Sequence, residues 1–307
     1  RAIAANRRLG TIVSAKRIST FLANPNLSHN LRIQGLYALK SWSKASWLDP
    51  IDGRYFPVLA GDMDALKEAI GPEIWALAND ADNNISRQAI AVLQSINPDR
   101  AKLDQVSDLI LDETQRSDLR KGWLRWLRKW DRILFTSVGT QALNSKSPEL
   151  RAVAAEELSE AGVGGSAVDN YLLATLNNSS DTVELQRAIK MIPRLKSKKY
   201  IIEKLVKELI DGRIAPEIQL EVLEEATAIA RDYPEIRMLM DNYNNYINKQ
   251  SVMKRYDVAI KGGNAEKGKG IFFSHAQAQC SKCHALKQID KQIGPSLEGI
   301  AKRHSRE

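Results

Sequence analysis

The chain has 307 residues, 43% hydrophobic and 27% charged, with 17 Gly and 10 Pro, a globular composition with no low-complexity stretch and a length that predicts two domains. No apolar run approaches the roughly 20 residues needed to span a bilayer, so no transmembrane segment is expected. Of the net charge of +8, residues 251–307 carry +6, from 11 Lys or Arg against 5 Asp or Glu, which leaves a nearly neutral front part and a basic tail. Such a tail either steers toward an acidic partner, an anionic membrane surface or nucleic acid, or is a solvated lysine-rich surface. The chain begins at Arg1 inside a helical pattern. A longer natural chain is therefore expected, and the lack of a secretory signal says nothing of location.

Residues 1–250 read as helices with short polar breaks, and strand signals are scarce. One pattern recurs: a large apolar residue, usually a small one four later, then a large one four after that. It appears as Leu31-Gly35-Leu39, Ile85-Ala89-Leu93, Leu119-Trp123-Leu127 and Leu150-Ala154-Leu158. Glu184-Ala188-Ile192 and Ile218-Val222-Ala226 are weaker copies. Several copies follow polar breaks suited to helix starts, such as Asp80–Asn84, Ser147-Pro148-Glu149 and Asn178–Asp181. Helix pairs repeated at this interval must stack to bury their apolar faces. These segments resemble HEAT repeats, and the fold class expected is all-α, an α-solenoid over 1–250; an irregular helical domain is the other reading.

Between the first two copies, Trp42 to Pro57 holds Pro50 and Pro57 on either side of Asp52-Gly53, which predicts a loop folded by its own aromatics onto the helices. This stretch looks like a segment of large multidomain bacterial proteins that join a propeller-type sugar dehydrogenase, HEAT repeats and a C-terminal haem domain. Further on, Arg120–Trp130 interleaves basic residues with tryptophans. A nucleic-acid surface like that of HEAT-like DNA glycosylases is one reading. Trp123, Trp126, Leu127 and Trp130, however, fall at i, i+3, i+4 and i+7, which predicts a buried helical face with Arg and Lys on the solvent side. Nucleic acid is accordingly not favoured as a partner.

A linker is expected over 251–263, with Lys261-Gly262-Gly263-Asn264 as a flexible joint and Asn264 as the cap of the next helix. The sharpest signal follows. Cys280-Ser281-Lys282-Cys283-His284 is a Cys-x-x-Cys-His run, the attachment signature of c-type haem. Thiols three apart can each add to a haem vinyl group, and the adjacent imidazole can bind iron as proximal ligand. A zinc site would need four ligands and finds no second Cys pair. A redox dithiol would expect a βαβ surround, and there is none.

The flanks resemble class I cytochrome c from Gly263 to Arg303. Glu266–Phe273 is similar to that family's first helix, with Gly268 and Phe272 or Phe273 matching its packing glycine and aromatic. Gly294-Pro295-Ser296-Leu297-Glu298-Gly299 is similar to its Gly-Pro-x-Leu-x-Gly loop. The resemblance implies a covalent haem c domain over 264–307, with Cys280, Cys283, His284, Gly294, Pro295 and Leu297 as cofactor-binding residues and His284 as the axial iron ligand. It also implies that the Pro295 carbonyl accepts a hydrogen bond from His284. In that family a methionine sixth ligand and a last helix follow the Gly-Pro loop. Here all five methionines precede Cys280 and the sequence stops at Glu307, so the domain is expected to be incomplete, with the sixth ligand unknown and His275 and His304 as candidates.

The function expected is electron transfer, the helical array setting the haem's place relative to a redox partner or an upstream dehydrogenase domain. The resemblance implies an exported, periplasmic or surface location. Nothing in the chain looks like a substrate-converting active site. A protein- or polysaccharide-binding scaffold with a haem sensor, or a peroxide-reactive haem, are the alternatives.

Overall fold

The structure is a computed structural model describing residues 1–305 apart from 97, 251–253, 255 and 287–292, with the backbone alone at 266. Met253 and the start of the expected linker lie outside the described residues. The described residues are all-α apart from one short hairpin. Two compact units emerge, Arg1–Tyr171 and Leu172–Glu307.

The first unit runs α1 (Ala2–Leu9), α2 (Ile12–Leu22), α3 (His29–Lys40), a hairpin of β1 (Ser46–Leu48) and β2 (Tyr55–Val58), then α4 (Met63–Ala69), α5 (Pro72–Ala78), α6 (Asn83–Leu93), α7 (Arg100–Leu111), α8 (Ser117–Trp130), α9 (Arg132–Ala142) and α10 (Pro148–Glu160). The division between units falls within α11 (Gly165–Asn178). The second unit continues with α12 (Thr182–Met191), α13 (Lys198–Ile210), α14 (Gln219–Ile229), α15 (Pro234–Asn248), α16 (Asp257–Lys261), α17 (Ala265–Ser274) and α18 (Ile300–Arg303). The expected 251–263 linker thus falls inside this unit.

All six sequence triads lie on helices, and their middle residues Gly35, Ala89, Trp123, Ala154, Ala188 and Val222 are buried. Those helices pack in succession within each unit: α3 on α6, α6 on α8, α8 on α10, and α12 on α14. On its other side α3 also packs on α2, where Gly35 leaves room: a Cβ there would lie 2.7 Å from Leu22 Cδ2. The polar breaks cap as their chemistry predicts. Asp82, Ser147 and Asp181 each accept from a backbone N–H of the first turn they precede.

Trp42–Pro57 departs from the expected loop. It forms the antiparallel hairpin, with Asp49 Oδ1 accepting from the Ile51 N–H to shape the turn. Of its aromatic residues only Trp42 is buried; Trp47 and Tyr55 stack on each other in solvent. What holds the hairpin is α1. Arg8 forms ion pairs with Asp49 and Asp52, both at 2.6 Å. Arg7, fully buried, donates to the carbonyls of Leu59, Ser41 and Lys44 at 3.1, 2.7 and 2.7 Å. These partners lie more than 30 residues away in sequence, so no local pattern announces them.

On α8, Trp123, Trp126 and Leu127 are buried and Trp130 half-buried, with Trp75 of α5 stacked on Trp123 at 5.7 Å. The cations differ from expectation at one position. Arg120 is buried, and its guanidinium donates to Glu113 through both Nη atoms and to the Ile110 carbonyl. Lys121 pairs with Glu149, and Arg125 and Arg128 pair with Glu157. Four of the five cations of this helix are answered by carboxylates, and the fifth, Lys129, donates to the Gln94 carbonyl and lies over the Trp130 ring.

Arg7→Met keeps the bulk but leaves three carbonyls without their donor, so a urea melt should show a loss of about 3–5 kcal/mol. Hydrogen bonds from Arg120, above all, hold the Glu113 carboxyl down from 4.5 to about 2. Because the folded value is the lower one, this contribution is complete above 4.5 and fades as pH falls toward 2. The stability gap between the native protein and E113Q should therefore close over that window in acid titrations followed by circular dichroism.

Candidate haem-attachment site

The site begins at Asn264, whose side chain accepts from the Lys267 N–H and starts α17. The helix ends at His275, where the chain turns: Ala278 N–H donates to His275 Nδ1 at 3.1 Å and Gln279 N–H to the His275 carbonyl. Gln279 then takes a left-handed conformation, φ 48°, uncommon for a residue with a Cβ. That reversal launches a 3₁₀ turn over Cys280–Lys282. Side chains at i and i+3 of such a turn eclipse, so a spacing of three puts both thiols on one side. Cys280 is half-buried and Cys283 exposed, both as free cysteines. His284 N–H closes the turn on the Cys280 carbonyl at 2.9 Å.

A second loop folds back over this turn. Gly294 N–H donates to the Cys283 carbonyl at 2.7 Å, and Leu297 N–H to the Ala285 carbonyl at 2.9 Å. Between them, His284 Nδ1 lies 2.9 Å from the Pro295 carbonyl oxygen. A carbonyl only accepts, so Nδ1 carries the ring proton and Nε2 presents its lone pair. This is the state in which an imidazole binds a metal, with the carbonyl raising its donor strength. Gly294 is required by space: a Cβ there would sit 3.0 Å from the Cys283 carbonyl oxygen and from His284 Cε1 and Nδ1. Arg303 of α18 steadies the loop by donating to the carbonyls of Glu298 and Ser296.

Burial around the site is distinctive. From Asp257 to Ser305 no described residue is buried. Ile271, Phe273, Leu286, Ile293 and Ile300 are all at least 40% exposed. Apolar side chains gathered in a short stretch without a core of their own fit a large, flat apolar group better than a small hydrated ion. Zinc would need three or four protein ligands, and among the described residues no three His, Cys, Asp or Glu side chains gather. A covalently attached haem needs two thiols on one side and one imidazole lone pair, and these residues fit it.

Cys280, Cys283, His284, Gly294, Pro295 and Leu297, picked out in the sequence, are thus brought together. Gly268 shows no packing role, since a Cβ there would meet nothing within 4 Å. His275 is a poor iron ligand as it stands. Its Nδ1 lone pair is taken by the Ala278 N–H, which leaves the neutral ring's proton on Nε2. His304 sits exposed at the end of α18. Gln279 and Arg303 were not visible to sequence reasoning, since a left-handed residue and a guanidinium over carbonyls leave no pattern.

Comparison with protein-family models, with curated proteins and with solved structures returned no match. No helix among the described residues is long and apolar enough to cross a membrane.

Gly294→Val would push its side chain into the His284 ring. Nitrogen NMR should find the native imidazole as its Nδ1–H tautomer, against the intrinsic preference of free histidine for Nε2–H. The variant should lose that bias.

Proposed function

We propose that this chain carries a haem c bound through Cys280 and Cys283, with His284 as axial ligand, and that it transfers electrons. The single observation behind this is the His284 Nδ1 contact with the Pro295 carbonyl, because it leaves Nε2 as the lone pair next to two thiols on one turn. Attachment asks simple chemistry of the cysteines. Each thiol adds across a vinyl double bond, sulfur to one carbon and hydrogen to the other, so no oxidant is consumed. Once bound, the haem iron supplies a centre that cycles between ferric and ferrous.

The protein's share is orientation and dielectric. Gly294 and Pro295 hold the imidazole, and Leu297 ties the loop to the residue following His284. The exposed apolar side chains of 271–300 would cover a macrocycle and keep water from it. The resemblance to class I cytochrome c supports an exported location. The successive packing of α3, α6, α8 and α10, at the intervals of the sequence triads, supports a HEAT-like array. In this reading the array places the haem segment relative to a redox partner or an oxidoreductase domain upstream. The carboxylates paired with Lys121, Arg125 and Arg128 speak against α8 as a nucleic-acid surface.

Protein matured in a host with c-type haem machinery should keep haem stain on a denaturing gel, and C280A/C283A should abolish it. Stain that persists in the double variant, or native protein without iron, would overturn the assignment.

A further inference from the structure

The Gly262-Gly263 pair joining α16 to α17 is seated on α14. A Cβ on Gly262 would lie 2.9 Å from Leu220 Cβ and 2.8 Å from the Val258 carbonyl oxygen, so only a bare backbone fits. Gly263 has φ +102°, a conformation glycine adopts without penalty. Its N–H donates to Glu221 Oε1 at 3.2 Å. Glu221 is 1% exposed, and its Oε2 has no hydrogen-bond partner among the described residues.

A carboxylate buried this deeply, with one oxygen unanswered, is costly. For simple packing on α14 an apolar residue would serve better. Lys190 of α12 pairs with Glu224 at 2.6 Å and also interacts electrostatically with Glu221 and Glu225. On the far side of the joint, Lys267 in the first turn of α17 acts on Glu225 of α14. The joint is therefore held to α14 by the Gly263 hydrogen bond, and the charges of α14 reach just beyond it to Lys267.

We propose that Glu221 is a positioning residue: its buried carboxylate clasps the Gly263 amide and fixes the departure of the 264–305 segment from the helical array. The expected flexible joint becomes a fixed one. Its consequence for electron transfer, a set distance and orientation for the haem segment, rests on the haem reading, whereas the clasp itself does not.

The test is amide hydrogen exchange on the full chain, read at Gly263 and, as a control for folding, at Leu205 and Val206 of α13. Gly263 should be protected in the native protein. E221A should speed its exchange about tenfold or more, the loss expected for a hydrogen bond to a charged acceptor. E221Q, which keeps an acceptor oxygen, should restore most of the protection, a rescue that side-chain bulk alone would not distinguish from E221L. Should E221A also expose α13, G262A decides, since its Cβ unseats the joint while leaving the carboxylate in place. Gly263 exchanging at the open-chain rate in the native protein, or equally protected in E221A or in G262A, would overturn the clasp. Haem stain on the same samples reads the cofactor assignment separately. An unstained native protein with a protected Gly263 would remove the haem and leave the clasp.

Discussion

A neutral imidazole has two nitrogens and one proton, and whatever it hydrogen-bonds on one side decides what it can do on the other. At His284 that decision is made by a carbonyl, which has no proton to give. Everything local serves to hold that carbonyl 2.9 Å from Nδ1. The Gly294 and Leu297 amides tie the loop down on either side of Pro295, and the missing side chain of Gly294 leaves room for the ring. Arg303 holds the outer carbonyls of the same loop. Without the carbonyl at that place the ring is free to put its proton on Nε2, which then no longer offers a lone pair.

The site stands apart from the rest of the molecule in how it is stabilised. The first unit rests on interlocked large side chains: Trp42, Trp123, Trp126 and Phe135 are fully buried, and two buried arginines satisfy distant carbonyls and a carboxylate. The described residues of 257–305 include none that is buried and depend on backbone hydrogen bonds and glycine fits. Segments of that kind open at low free-energy cost and are where ligand-binding elements are drawn from. A covalently held macrocycle would act there as the missing core. The join to α14 matters for the same reason, since a segment with so little burial has few other ways to keep a fixed place.

What could be read from the sequence was what is local. The triads, the caps at Asp82, Ser147, Asp181 and Asn264, and the tryptophan face of α8 all follow from periodicity or from one side chain reaching two or three residues along the chain. The Cys-x-x-Cys-His run and the Gly-Pro loop were legible because their chemistry needs fixed spacings. The Trp42–Pro57 segment reads as a loop in the sequence because its hairpin is short, holds a proline and depends on Arg7 and Arg8 some 35 to 50 residues earlier. Arg120 reads as solvent-facing because it is charged, yet it stands three residues before Trp123 and seven before Leu127 on the buried face, where Glu113 and the Ile110 carbonyl answer its guanidinium. The same limit hid Glu221, whose partner lies 42 residues on.

Charge ties these observations together. The basic residues of α8 catch the eye in the sequence, yet Arg120, Lys121, Arg125 and Arg128 each meet a carboxylate, and their field beyond contact range is largely cancelled. The tail's cations follow a different rule. Residues 251–307 hold +6 of the chain's +8 in under a fifth of its length, and Lys269, Lys282 and Lys302 are exposed. The surplus charge therefore belongs to the segment with the candidate cofactor site, and a surplus on one segment orients an approaching anionic surface toward it. For an electron carrier that is the useful place to have it, because encounter and transfer then involve the same face.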